Sequence, residues 1–244
     1  GEVLMPTPAA VLAAGTLLSE GSATQKGLGK LMMVDVGGAT TDVYSFNENK
    51  PYPGARLMGV SEPYAKRTVE GDIGMRYSVR GIVEAVGLKR LSEESGLPPE
   101  AVSEMVETLA AHTDMVPEPG TDWERLDYAL ASAAIETAVG RHAGSMEETY
   151  TLMGLTYVQS GKDLRPVRQV IVTGGCLIHT PRTKDIAAHA LHSPLAPMSL
   201  RPMKADIRVD RRYILAAMGL LSEYEPKIAL RIMKKELDND GYTE

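Results

Sequence analysis

Two apolar runs placed on either side of a glycine pair constrain this chain more than any other feature. Leu31-Met32-Met33-Val34-Asp35-Val36 leads into Gly37-Gly38-Ala39, and Thr40-Thr41-Asp42-Val43-Tyr44-Ser45-Phe46 follows. Short apolar runs joined by small residues predict a β-hairpin. Its turn has unusual chemistry. Glycines leave backbone N–H groups unshielded and let the chain come close to a ligand, so consecutive amides there can hold phosphate oxygens. Asp35 and Asp42 flank the turn. Magnesium keeps most of its waters and needs only one or two carboxylates, so either Asp suits it, or an attacking water. A tight hairpin with solvated Asp residues is the other reading of the same pattern.

The remaining chain alternates strand and helix signals. Residues 8–20 are Ala/Leu-rich and predict a helix, with Thr7 as N-cap and Pro8 at the first helical position. Residues 21–29 read as a flexible linker, 47–54 as a loop and Ala55–Val60 as a third strand. Gly71-Asp72-Ile73-Gly74 precedes a helix over about 75–86. Val102, Met105, Val106 and Leu109 give a second helix over 98–112 one apolar face. A Pro/Gly loop at 113–120 leads to a long Ala-rich helix from Trp123 to about His142, and Tyr150–Gln159 reads as a hairpin. Val170-Ile171-Val172 predicts a buried strand that ends at a second glycine pair, Gly174-Gly175, where bare backbone suits a planar base or a ribose. A strand-to-helix turn without ligand is the alternative there. Helices at 182–192, 211–223 and 226–237 and a strand at Ile207–Val209 complete an α/β order, with a helical block inserted at about 75–145.

Composition narrows the function. A net charge of −6 argues against a nucleic-acid surface. No apolar run reaches the ~18 residues of a membrane span. A single cysteine, Cys176, excludes an internal disulfide, fits a cytoplasmic protein and reads as a small buried hydrophobe. The five histidines lack metal-ligand spacing, although His189 and His192 are predicted on one helix. Neither glycine pair matches the Rossmann or P-loop patterns, so a bound nucleotide would use another fold.

Taken together, the two motifs resemble the actin, sugar-kinase and heat-shock-chaperone ATPase superfamily. Its second phosphate motif, Asp-x-Gly-Gly-x-Thr-x-Asp, is matched by Asp35, Gly37, Gly38, Thr40 and Asp42. Its adenosine motif is matched by Val170–Gly175, with Cys176 where a smaller residue is usual. The resemblance implies a ribonuclease H-like (actin-like ATPase) second lobe, a mixed sheet flanked by helices. It implies ATP and Mg²⁺ as cofactors, with Asp35 and Thr40 catalytic and Asp35 holding Mg²⁺ through water. Gly37, Gly38, Ala39, Thr41 and Asp42 would contact phosphate, Gly71 and Asp72 the ribose and phosphates, and Gly174, Gly175 and Cys176 the adenosine. Thr7–Gly15 looks like the hinge helix between lobes, and Asp210 with Ile214–Gly219 like the closing helix.

Narrower still, Arg67–Arg76, Arg141–Gly144, Val158–Leu164 and Val209–Leu221 resemble the MutL family associated with glutamate mutase, which is unrelated to the mismatch-repair protein of that name. That resemblance implies ATP-driven reactivation of an adenosylcobalamin-dependent mutase as partner. It divides the chain into a hinge helix at 1–22 and a second lobe at 23–244, with an upstream lobe of the same protein supplying the first phosphate motif. The chain alone is then expected to bind ATP weakly and turn it over little. Two other functions share this architecture: a small-molecule kinase or hydantoinase-like hydrolase, and a non-enzymatic actin-like scaffold.

Overall fold

The computed structural model describes residues 5–238. In chain order its elements are helix α1 (Thr7–Glu20), strands β1 (Gly21–Ser22), β2 (Gln25–Lys26), β3 (Leu31–Val36), β4 (Thr41–Phe46), β5 (Ala55–Met58) and β6 (Ala65–Glu70), and helices α2 (Val79–Val86), α3 (Leu88–Ser95), α4 (Pro99–Ala111) and α5 (Asp122–His142). Strands β7 (Ser145–Thr151), β8 (Gly154–Ser160) and β9 (Gln169–Thr173) follow, then α6 (Gly175–Ile178), α7 (Thr183–Ala188), β10 (Asp206–Val209), α8 (Leu215–Ser222) and α9 (Pro226–Asp238). No helix among the described residues is long and apolar enough to cross a membrane.

The predicted hairpin forms the centre of a five-stranded mixed sheet. Strands β3 and β4 pair antiparallel from Leu31↔Phe46 to Val36↔Thr41. Beyond β4 lies antiparallel β6, while β9 and then β10 extend the other side in parallel, giving the order β10-β9-β3-β4-β6. Alternation explains why both faces are covered. Met32, Val34, Val36, Val170 and Val172 point into a core shared with α2 to α5. Leu31, Met33 and Ile171 point the other way, towards α1, α8 and α9. Helix α5 lies directly against β3 and β4, α2 and α3 pack on it, and α4 packs on α2 and α3.

Two helices are held unusually close on the second face. A Cβ at Gly219 of α8 would stand 1.8 Å from the Ala10 carbonyl oxygen of α1. A Cβ at Gly15 would stand 2.1 Å from the Phe46 ring. Glycine is what lets α1 lie against both α8 and β4.

Several expectations change. Residues 21–29 are not a plain linker: β1 and β2 form a small hairpin that returns Leu28 N–H to the Leu18 carbonyl. Thr7 is inside α1 rather than its cap, since Pro6 holds the cap position and no side chain caps the helix. The third strand of the main sheet is β6, not 55–60. Strand β5 pairs with β8 in a separate three-stranded sheet, order β5-β8-β7. The charged run Ala-Lys-Arg-Thr-Val-Glu hid β6, as suits an edge strand. The helix expected over 182–192 is shorter, so His189 is its C-cap and His192 lies beyond it. The boundaries at 1–22 and 23–244 extend into residues 1–4 and 239–244, outside the described residues.

Candidate functional site

Adjacent parallel strands β3 and β9 both end in a glycine bend, on the same edge of the sheet. Clefts at the carboxyl ends of parallel strands are the usual ligand sites of such sheets. The first bend is tied down through its carbonyls. Gly37 N–H closes the turn on the Thr40 oxygen at 2.9 Å, while Met75 N–H and Arg76 N–H donate to the carbonyls of Gly37 and Gly38 at 3.0 and 2.9 Å. Among the described residues the N–H groups of Gly38, Ala39 and Thr40 have no acceptor. Donors left over on a turn whose Gly37, Gly38 and Thr40 carbonyls are engaged can seat an anion. Gly74 makes this possible: a Cβ there would lie 2.5 Å from the Ala39 carbonyl carbon, pushing the 71–76 segment off the turn.

The second bend is equally specific. Gly174 sits at φ 117°, and a Cβ on it would meet the Val36 oxygen at 2.2 Å. Only glycine lets β9 turn away while still touching the end of β3. Helix α6 then starts, with Leu177 and Ile178 N–H donating to the Gly174 carbonyl. The two bends line one cavity of about 620 Å³, into which Asp35, Gly37 and Gly38 come from one side and Gly174, Gly175 and Cys176 from the other.

Asp35 carries the charge of this cleft. It pairs in register with Asp42 on one side and Thr173 on the other. Burial first, then the nearby charges of Asp42 and Asp210, raise its carboxyl above the ordinary carboxylate range. A cation held through water at Asp35 would relieve that repulsion. No group of three or more His, Cys, Asp or Glu forms a direct metal cluster among the described residues. Asp210 is occupied at the approach to α8, accepting from Ile214 N–H at 3.1 Å and Leu215 N–H at 3.3 Å.

Other predicted site residues stand elsewhere. The Thr41 side chain is buried and donates to the Ile73 carbonyl at 3.0 Å, so it braces the turn. Asp42 is gripped by Arg67 through Nε at 2.9 Å and Nη2 at 2.6 Å, and it accepts from Thr40 Oγ1 at 3.4 Å. Asp72 is held by Arg141, whose guanidinium keeps the Asp72 carboxyl low. The Gly71 carbonyl accepts from Ser78 Oγ. Ala39, Thr40, Thr41, Asp42, Gly71 and Asp72 are all absent from the cavity wall. Cys176 is an inert thiol, pushed up by burial, with Sγ 4.0 Å from the Val36 oxygen.

Sequence reasoning missed part of the wall. Arg76 bridges to Asp127 of α5 at 2.9 Å and to the Met115 carbonyl, and all three line the cavity. Burial raises the Asp127 carboxyl, and Arg76 partly opposes it. The Arg182 guanidinium lies 3.3 Å from the centre of the Tyr128 ring on the same wall. Tyr213, with φ 53°, is the one non-glycine residue at positive φ among the described residues, and it too lines the cavity. Arg76 and Tyr213 sit in the runs that carried the family resemblance. Asp127 and Tyr128 had no local signal, because a long helix meets the cleft only through the fold.

Fold and site define a mixed α/β protein with a turn of unpaired backbone N–H groups and the carboxylate of Asp35 at the carboxyl ends of two parallel strands. The family model described as "MutL protein" matches residues 1–237. Protein MutL of Clostridium tetanomorphum is similar to this chain, 45% identical over 237 residues that cover 96% of this chain and 51% of that protein. The chain belongs to the MutL family, the one associated with glutamate mutase and not with mismatch repair. It spans about half the length of that curated relative.

Proposed function

We propose that this chain is the nucleotide-gripping lobe of an ATP-dependent factor that reactivates an adenosylcobalamin-dependent mutase such as glutamate mutase. The observation that carries the reading is that both glycine bends and Asp35 line one cavity. At about 620 Å³ it falls within the usual range for small-molecule and cofactor sites. The sheet supports a ribonuclease H-like lobe, since an antiparallel meander of β3, β4 and β6 is extended by parallel β9 and β10. Packing of α1 on α8 supports their reading as hinge and closing helices.

Each residue then has a defined task. The free N–H of Gly38, on the cavity wall, holds a phosphate oxygen, and those of Ala39 and Thr40 extend the same turn beyond that wall. Asp35 accepts hydrogen bonds from waters of a hydrated Mg²⁺, or orients water for attack. Gly174 and Gly175 let a flat base lie against backbone, and the Arg182–Tyr128 pair offers a stacking wall. Mg²⁺, when bound, neutralises phosphate charge. Arg67 keeps Asp42 from adding a second open carboxylate. The same reading assigns the lone thiol to a reducing cytoplasm.

Turnover by the full-length protein with its mutase tests the mechanism. Asp35→Ala is expected to lower ATP hydrolysis by roughly 100-fold or more while the fold persists. Unchanged hydrolysis would remove Asp35 from the reaction.

A further inference from the structure

A second cavity, of about 820 Å³, opens between α3, α5 and the segment 188–201. It shares no lining residue with the cleft described above. At its wall stands Arg201, only 3% exposed, a degree of burial that charged side chains rarely reach unpaired. Its sole hydrogen bond among the described residues runs from Nε to Ser199 Oγ at 3.2 Å, and no carboxylate lies within ion-pair distance. The carboxylates around it are already engaged. Glu136 is bound by Arg90 and flanked by His189 at 3.6 Å. His189 first, then Arg90, hold Glu136 ionised with a carboxyl lowered to about 2. Glu94 lies 3.7 Å from the other nitrogen of His189, and Glu93 pairs with Lys89.

A second orphan lies on the same wall. His192 Nδ1 is buried with no hydrogen-bond partner. A guanidinium this deeply set, which lines the cavity and whose fork has no protein partner among the described residues, is available to a ligand there.

We propose that this cavity is a second ligand site, taking the oxyanion head of a small organic acid, a carboxylate or a phosphate monoester. The planar fork of Arg201 matches two oxygens of such a head. The volume exceeds what a bare ion needs, and Val86 and Leu191 give an organic body apolar wall. Lys89 and Arg90 at the rim are each paired with a carboxylate, which leaves Arg201, among the described residues, as the cation that faces the cavity without one.

Equilibrium dialysis of radiolabelled inorganic phosphate, at ionic strength fixed with chloride, tests this directly. It is run on Gly38→Glu protein, which places a negative charge in the first turn and so silences that seat. A Cβ at Gly38 would lie 3.7 Å from its nearest neighbour, so the side chain fits. Saturable binding is expected, lost at least tenfold in Arg201→Gln and partly kept in Arg201→Lys. Acetate and methyl phosphate as competitors then separate the two head groups. Selenate soaked into crystals of the unaltered chain locates the ion without any substitution, and an anomalous peak beside the Arg201 guanidinium is expected. Binding unaffected by Arg201→Gln, or no peak at Arg201, overturns the proposal. Neither result bears on the first cleft, whose failure would show in nucleotide binding alone.

Discussion

At the scale of single residues, adjacent glycines at the second bend carry different burdens. Gly174 needs both its positive φ and the missing Cβ, whereas nothing lies within 4 Å of a Cβ built on Gly175. Gly174→Ala should therefore cost at least about 1–3 kcal/mol of stability, because strain adds to a 2.2 Å clash with the Val36 oxygen. Gly175→Ala should stay within about 0.5 kcal/mol of the parent. Chemical denaturation of the two variants side by side measures the contrast, and equal losses would refute this account of the bend. Cysteine chemistry gives no comparable test, since burial keeps the Cys176 thiol protonated.

At the scale of elements, legibility followed the strength of local pattern. The β3–β4 hairpin, α4, α5 and β9 were readable because their apolar spacing and end signals agree: Pro98 and Pro99 open α4, and Thr121 caps α5 by accepting from Glu124 N–H. Strand β6 was not, because an edge strand with Lys66 and Arg67 has no apolar alternation to read. Of the residues the turn motif suggested, Asp35, Gly37 and Gly38 line the cleft, while the side chains of Thr41 and Asp42 bond Ile73 and Arg67. Motif spacing fixes the backbone and says nothing about which side chain the neighbouring element claims. Arg76, Asp127 and the Arg182–Tyr128 pair reach the cleft only through tertiary packing. The α1–α8 contact makes its own prediction. Gly219→Leu should wedge the helices apart and lower the melting temperature by several degrees, roughly 2–4 °C per kcal/mol for a chain of this size. Gly140→Ala in α5, with open space around its Cβ, should be neutral or slightly stabilising.

At the scale of the whole molecule, a buried polar network links the main sheet to α5 and β8. His142 contacts Thr68 Oγ1 at 2.6 Å and Ser45 Oγ at 2.8 Å, and just beyond β8 the Lys162 ammonium donates to the carbonyls of Ser45 and Tyr64. Burial first, then Lys66 and Lys162, lower the His142 pKa from 6.5 to about 3. Between those values the unfolded chain holds a proton that the folded chain does not, so stability falls as pH drops through that window. Burial first, then Lys66, lower Lys162 from 10.5 to about 7, so stability rises as pH climbs across that range. Denaturation curves from pH 4 to 10 should show both limbs. His142→Gln should flatten the acid limb and Lys162→Met the alkaline one; unchanged slopes would mean that other groups control the response.

Amide NMR of this chain during a MgATP titration tests the central claim, that the two bends form one nucleotide seat. Saturable, weak binding is predicted, with shifts concentrated at residues 37–40 and 174–176 and abolished in Gly38→Glu. Saturation that leaves both bends unmoved while another surface responds would contradict it.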